Sequence, residues 1–201
     1  MRSRAAAAVL SREGFQEVYS MEGGIQAWKG LVAIGIPEAG MAYFEPAKKA
    51  EELIALAWLL EDGSNGFYWE MARKRQNQPG GTLFQDLSAD EEEHKSSLFK
   101  IYRKVSGKES DPKFPQSLIS IEPGEKYLEG GMLLDKALEW IKEKDLRETL
   151  ELSISLEVNA IDLYMKMERK VAEKAAQQVF QTLSNQERSH LKRLTAFLEA
   201  S

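Results

Sequence analysis

The feature that most constrains this chain is a pair of matching glutamate and histidine sets that lie 96 residues apart. In each set a lone glutamate precedes a Glu-x-x-His pair by 30 residues, and a tyrosine follows the lone glutamate after seven residues. The sets, which contain both histidines of the chain, are Glu61, Glu91 and His94, then Glu157, Glu187 and His190, with Tyr68 and Tyr164 as the tyrosines. Matches at a fixed separation predict a duplicated helical hairpin.

The spacing within each set is suited to binding metal ions. Residues three apart lie on one face of an α-helix, so each Glu-x-x-His pair can offer a carboxylate and an imidazole to one cation. A bundle that turns these faces inward would bring four carboxylates and two imidazoles to one centre, an arrangement known from di-iron carboxylate bundles. Two divalent cations would balance the four negative charges, whereas empty buried carboxylates are costly.

Oxygen and imidazole donors without thiolates suit iron or manganese, and zinc is possible without redox chemistry. The candidate metal ligands are therefore Glu61, Glu91, His94, Glu157, Glu187 and His190. Two readings stay open for Tyr68 and Tyr164, which either pack in the core or hydrogen-bond to ligand carboxylates beside the metals. The nearby acids Asp90, Glu92 and Glu93 are expected to form a solvated charge run in the first turn of a helix.

The apolar periodicity predicts an all-α fold, a four-helix bundle of ferritin-like topology. A stretch rich in glycine and proline at 106–130 predicts a long crossover between the second and third long helices. The predicted helices are 46–75, 85–105, a short one at 132–143, 146–171 and 174–199. Within the first, Gly63 and Gly66 each cost about 1 kcal/mol relative to alanine. The repeat nevertheless favours a helix there, with the glycines making room for a bulge or a closely packed neighbour.

Composition and charge exclude several classes of function. The chain has no cysteine, which rules out disulfides, thiolate zinc sites, iron–sulfur clusters and a cysteine nucleophile within it. A net charge of −5 without a basic stripe argues against nucleic-acid binding. No apolar run approaches the roughly 20 residues that span a bilayer, so no membrane association is expected. A cytoplasmic location is predicted.

Residues 45–199 resemble the rubrerythrin branch of the ferritin-like superfamily. The matching stretches are LLEDGSNGFYWEMA, LSADEEEHKSSLF, LEVNAIDLYMKM and LSNQERSHLKRL. The resemblance implies a non-haem di-iron centre that reacts with hydrogen peroxide or dioxygen, and hence an oxidoreductase. It also implies roles for the six residues: Glu61 and Glu157 as terminal ligands, Glu91 and Glu187 as bridges, and His94 and His190 as ligands of one metal each.

Two departures from the family pattern affect the expected function. The chain lacks the four-cysteine rubredoxin-like domain, so an external electron donor is expected. It also carries Ala160 where the family has a further glutamate three residues after the third-helix ligand. The alternative function is a non-catalytic module that binds, stores or senses iron. By analogy with related bundles, a homodimer is expected.

The chain divides into two predicted domains, 1–40 and 41–201. The first is expected to be a small α/β segment, and its pieces RSRAAAAVLSREGF, VYSMEGGIQAW and GIP resemble the C-terminal third of a rhodanese domain. The resemblance implies that the catalytic cysteine of that family would lie just before Arg2. No sulfurtransferase activity is therefore expected from this segment. The second predicted domain is the ferritin-like di-iron bundle.

Overall fold

The computed structural model describes residues 49–119 and 124–200, which all belong to one compact unit of the chain. The predicted rhodanese-like segment, 1–40, lies outside the described residues. The described ranges contain five α-helices and no β-strand, which confirms a helical bundle for this part of the chain. They are α1 (Ala50–Lys74), α2 (Gly81–Ser106), α3 (Leu134–Trp140), α4 (Leu146–Lys170) and α5 (Lys174–Ala200), with a 3-10 turn Ile141–Glu143 after α3.

The ends of the helices follow from local sequence. α2 begins after Gly80, at φ 87°, and ends before Gly107, at φ 69°, two left-handed conformations that glycine adopts at little cost. The first helical residue is thus Gly81, four residues before the predicted start. α4 begins with a capping box, in which the backbone N of Glu148 donates to the Asp145 carboxylate at 2.8 Å. None of the helices in the described part of the chain is both long and apolar enough to cross a membrane.

α1 continues as an α-helix through residues 61–66, as the repeat predicted. Glycine is needed at position 63 because the crossover between α2 and α4 lies directly against the helix. A Cβ atom at Gly63 would lie 2.1 Å from the carbonyl oxygen of Tyr127, a separation that no real pair of such atoms can adopt. The closely packed neighbour expected at this glycine is therefore confirmed, and the helix carries no bulge there.

Two apolar clusters fill the bundle and define the direction of its helices. One joins the first halves of α1 and α5 to the last halves of α2 and α4, and the other joins the opposite halves. α2 and α4 therefore run in the same direction, which requires the long crossover that the sequence predicts. On every long helix the glutamates and histidines of the repeat fall between the two clusters. On α1, for example, Glu61 lies between Leu60 of one cluster and Phe67 of the other.

Candidate metal centre

The six predicted glutamate and histidine side chains meet between the two apolar clusters, and each is at most 3% exposed. They form two overlapping groups, in each of which the candidate ligand atoms all lie within 4.8 Å of one another. The groups are Glu61, Glu91, His94 and Glu187, and Glu91, Glu157, Glu187 and His190. Because Glu91 and Glu187 belong to both groups, they lie where ligands shared by two cations would lie.

Each imidazole turns its Nδ1 atom towards three carboxylates. His94 Nδ1 lies 2.9 Å from Glu91, 3.1 Å from Glu187 and 3.2 Å from Glu61. His190 Nδ1 lies 3.1 Å from Glu187, 3.4 Å from Glu157 and 3.5 Å from Glu91. The two rings stack with their centroids 5.3 Å apart and their planes inclined by 15°. The carboxylates of both hairpins therefore converge on both imidazoles.

The surroundings of the two outer carboxylates, Glu61 and Glu157, disfavour their ionised form. Burial, followed by the charge of Glu91, raises the pKa of Glu61 to about 8. Burial and the charge of Glu187 likewise raise the pKa of Glu157 well above its ordinary value. Burial also opposes ionisation of Glu91 and Glu187, but hydrogen bonds from neighbours that include both histidines lower the pKa of each shared carboxylate.

For the two imidazoles, the surroundings favour the charged form. Burial disfavours their charged form, yet the charge of Glu61 and hydrogen bonds to three carboxylates raise the pKa of His94 far above its ordinary value. The close approach of Glu157 and Glu187 does the same to the pKa of His190. In the absence of metal, these raised pKa values favour bound protons as the positive charge that balances the cluster. Cations at the same place would displace those protons.

Several buried polar atoms of the cluster have no hydrogen-bond partner among the described residues. They are Glu91 Oε2, Glu157 Oε2, Glu187 Oε1, His94 Nε2 and His190 Nδ1. Buried polar atoms are normally satisfied, so such a concentration requires an explanation. Cations bound between the two hairpins would satisfy the three carboxylate oxygens and the Nδ1 atom together. The residues present therefore fit a pair of divalent metal ions.

The two tyrosines of the repeat bond across the bundle to the opposite hairpin. The hydroxyl of Tyr68 donates to Glu157 Oε1, and that of Tyr164 donates to Glu61 Oε1. Both rings are fully buried in the apolar clusters, so each tyrosine combines the two roles that the sequence left open. Burial and then the nearby carboxylate charges raise the pKa of both phenols well above 10. Each hydroxyl therefore stays protonated and remains a donor.

Asp90 does not belong to a solvated first-turn run, and the sequence expectation is wrong for this residue. α2 begins at Gly81, so Asp90, Glu92 and Glu93 lie in its third and fourth turns and not in its first turn, where the sequence pattern placed them. Asp90 Oδ2 lies 3.3 Å from His190 Nε2 and accepts a 2.6 Å hydrogen bond from Arg193 Nη1. His94 Nε2, by contrast, is buried without a partner. The Nε2 atom of His190 therefore has a carboxylate neighbour, whereas the Nε2 atom of His94 has no hydrogen-bond partner among the described residues.

A further buried carboxylate, Glu129, comes from the crossover and was missed in the sequence. It is 4% exposed and accepts a hydrogen bond from the hydroxyl of Ser64, one turn after Glu61 on α1. Glu129 has no counterpart in the repeat, which is why the spacing argument could not find it. Its one local signal is weak: an acid that follows the apolar Leu128 and precedes Gly130 and Gly131.

Comparison with known proteins agrees with this geometry. The model of the rubrerythrin family matches residues 52–198 of the chain. Among solved structures, a hypothetical protein from Pyrococcus furiosus is similar, with a TM-score of 0.57 and 24% sequence identity over 82% of this chain and 95% of that one. At this identity the likeness shows the fold alone. A search of curated proteins gives no match.

Proposed function

The chain belongs to the rubrerythrin family, and from this premise we propose that it is a non-haem di-iron oxidoreductase. When bound, a pair of ferrous ions would supply the electrons that reduce hydrogen peroxide or dioxygen. The observation that carries the proposal is the pair of overlapping groups in which Glu91 and Glu187 are shared. Iron is the metal that the family suggests, and manganese or zinc could use the same donors.

The proposed ligand roles follow the position of each carboxylate. Glu91 and Glu187 would each bind both ions, since they occur in both groups. Glu61 and His94 would complete one position, and Glu157 and His190 the other. An external electron donor, a homodimer and a cytoplasmic location remain predictions from the sequence.

The tyrosines prepare the outer carboxylates for this role. Tyr164 occupies Glu61 Oε1 and leaves Oε2 directed at His94 Nδ1, 3.2 Å away. Tyr68 occupies Glu157 Oε1 and leaves Oε2 directed at His190 Nδ1, 3.4 Å away. Each hydrogen bond therefore fixes one oxygen and orients the other towards the centre. Hydrogen bonds of this kind hold a ligand in its binding geometry before the metal arrives.

One observation favours a second candidate function, a module that binds iron without catalysing a reaction. Ala160 is buried one turn beyond Glu157 and offers no carboxylate to the centre. A centre with fewer ligands from the helices than other members of the family could retain iron and react slowly with peroxide.

The decisive experiment mixes anaerobic protein, loaded with two equivalents of ferrous iron, with hydrogen peroxide in a stopped-flow instrument. We expect oxidation far faster than that of free ferrous iron under the same conditions, with an absorption band of oxo-bridged ferric iron. Stoichiometric binding without faster oxidation would support the non-catalytic module instead. If the protein does not bind iron, both candidates are wrong.

The environment of His190 leads to a testable difference between the two metal positions. The Asp90→Asn substitution removes the charge beside His190 Nε2, so we expect the affinity of one metal position to fall about 10- to 100-fold, while the other changes little. Calorimetric titration with Co²⁺ measures both affinities. The matched control is Asp86→Asn, because Asp86 is more exposed and lies 3.5 Å from the same Arg193. Equal weakening of both positions, or the same loss in the control, would contradict this role.

A further inference from the structure

We propose that Glu129 is an additional metal-binding carboxylate of this centre, supplied by the crossover and not by the duplicated hairpins. The proposal rests on the proposed function, since it concerns the same metal ions. It adds a fifth carboxylate to the four of the repeat.

The crossover makes a tight turn whose tip carries Glu129. The turn comprises residues 126–134. Leu128 N donates to Met132 O at 2.8 Å, and Leu134 N donates to Lys126 O at 2.8 Å. Gly130 and Gly131 adopt φ values of 99° and 79°, which allow the chain to reverse just after Glu129. The backbone position of Glu129 is therefore set by hydrogen bonds within the turn.

The turn also packs closely against α1 and α4, the two helices that carry Glu61 and Glu157. On α1, the missing side chain of Gly63 admits the carbonyl group of Tyr127. On α4, a Cβ at Gly130 would lie 2.4 Å from Asn159 Nδ2, and this amide donates to Glu129 O at 3.2 Å. Gly63 and Asn159 each follow their ligand glutamate, Glu61 or Glu157, by two residues. The tip is thus held at the level of the metal centre.

The surroundings of Glu129 give its charge no partner within the protein. The part of the chain that the structure describes contains no lysine, arginine or histidine within ion-pair distance of this carboxylate. Its side-chain hydrogen bond comes from the neutral hydroxyl of Ser64. Burial, then the charges of Glu61 and Glu91, raise the pKa of Glu129 well above its ordinary value. An unpaired buried carboxylate is costly, and a nearby cation is what would compensate it.

Coordination by Glu129 requires a local change of partner. Its oxygens lie outside the two groups of candidate ligand atoms, so the side chain must reorient towards the cations, and Oε2 would then give up its hydrogen bond from Ser64. Metal binding would provide the driving force, because it replaces the repulsion from Glu61 and Glu91 by attraction to positive charge. Glu129 therefore exchanges a hydroxyl donor for a metal ion.

The test is a titration of the metal-free full chain with Co²⁺, followed by calorimetry and by the visible absorption of the bound ion, which reports its coordination. We expect Glu129→Gln, which retains shape and hydrogen bonding, to weaken at least one position about tenfold or more and to change the absorption spectrum. Glu129→Asp keeps the charge but is shorter, so it should show a similar loss. Ser64→Ala removes only the competing donor and should not weaken binding. The control is Asp135→Asn, an exposed acid that follows the same turn.

Each outcome decides between the two proposals. If Glu129→Gln binds both ions like the unchanged chain, Glu129 is not a ligand, while the two-metal centre stands. If Glu129→Asp alone retains full affinity and the original spectrum, Glu129 acts through its charge and the coordination claim is wrong. If the unchanged chain binds no Co²⁺ and no Fe²⁺, the proposed function itself fails. Circular dichroism of each metal-free variant confirms the fold, and Glu129→Asp carries the test if Glu129→Gln does not fold.

Discussion

The Glu91→Ala substitution is expected to abolish binding of both metal ions, not just one. Glu91 belongs to both candidate groups and lies 2.9 Å from His94 Nδ1 and 3.5 Å from His190 Nδ1. Removing it deprives each position of a carboxylate and leaves the remaining donors too few to hold either ion tightly. Elemental analysis after loading with iron, together with calorimetric titration, measures the stoichiometry. Glu187→Ala should have the same effect, because Glu187 is also shared.

The matched control is Glu93→Ala on the same helix. Glu93 is exposed, and its replacement should leave the stoichiometry unchanged. The metal-free Glu91→Ala protein should stay folded, because each imidazole keeps two other carboxylate neighbours: Glu187 with Glu61 at His94, and Glu187 with Glu157 at His190. Circular dichroism checks this point. A variant that keeps one tightly bound ion would show that Glu91 serves a single position.

The metal-free protein is expected to lose stability as the pH rises from about 5 to about 8. Glu61, with its pKa raised from 4.5 to about 8, binds a proton in the folded state that the unfolded chain has already released in this range. Stability therefore falls with rising pH, by about 1.4 kcal/mol for each pKa unit of the shift. Glu157 acts in the same direction, since its pKa is also raised.

The two histidines extend the loss of folded-state stability above neutral pH. Because the pKa values of His94 and His190 are raised, the stability that they contribute is complete below about pH 6.5 and is lost as the pH rises further. The lowered pKa values of Glu91 and Glu187 act only below about pH 4.5. The net expectation for the metal-free chain is a loss of several kcal/mol across the range.

Bound metal should remove this loss of stability with rising pH. Cations replace the protons, and they stabilise the folded state by about 4 kcal/mol at a free concentration 1,000 times the dissociation constant. Urea unfolding at several pH values, with and without a chelator, measures both effects. The metal-free Glu61→Gln variant is the control and should show a shallower slope, because it lacks the titrating group. A metal-free protein whose stability rises between pH 5 and pH 8 would refute the linkage.

Much of the architecture could be predicted because the relevant patterns lie within single helices and depend on residues only a few positions apart. Helical periodicity identifies which face of each long helix is apolar, and the three-residue spacing puts Glu91 and His94 on one face whatever that helix packs against. The repeat also predicted correctly that α1 runs through Gly63, although the propensity of the segment opposes a helix. Residues 1–40 lie outside the described part of the chain, so the rhodanese-like resemblance there stays a prediction.

The tyrosines show where local spacing is insufficient. Tyr68 shares a helix face with Glu61, yet the two are separated by about 10 Å along the axis, too far for their side chains to meet. α1 and α4 run antiparallel, which brings Tyr68 level with Glu157 and Tyr164 level with Glu61. The hydrogen bonds therefore form between the hairpins. A spacing rule within one helix contains no information about this register.

The amino-acid sequence by itself determined the four long helices, the crossover and the six side chains that share inward faces, because each depends on residues close together in the chain. Only the tertiary structure decided that Asp90 lies beside His190 and that Glu129 is buried against Ser64, one turn after Glu61 on α1. Both depend on contacts between segments distant in sequence, where the packing of helices and the path of a loop determine which groups meet.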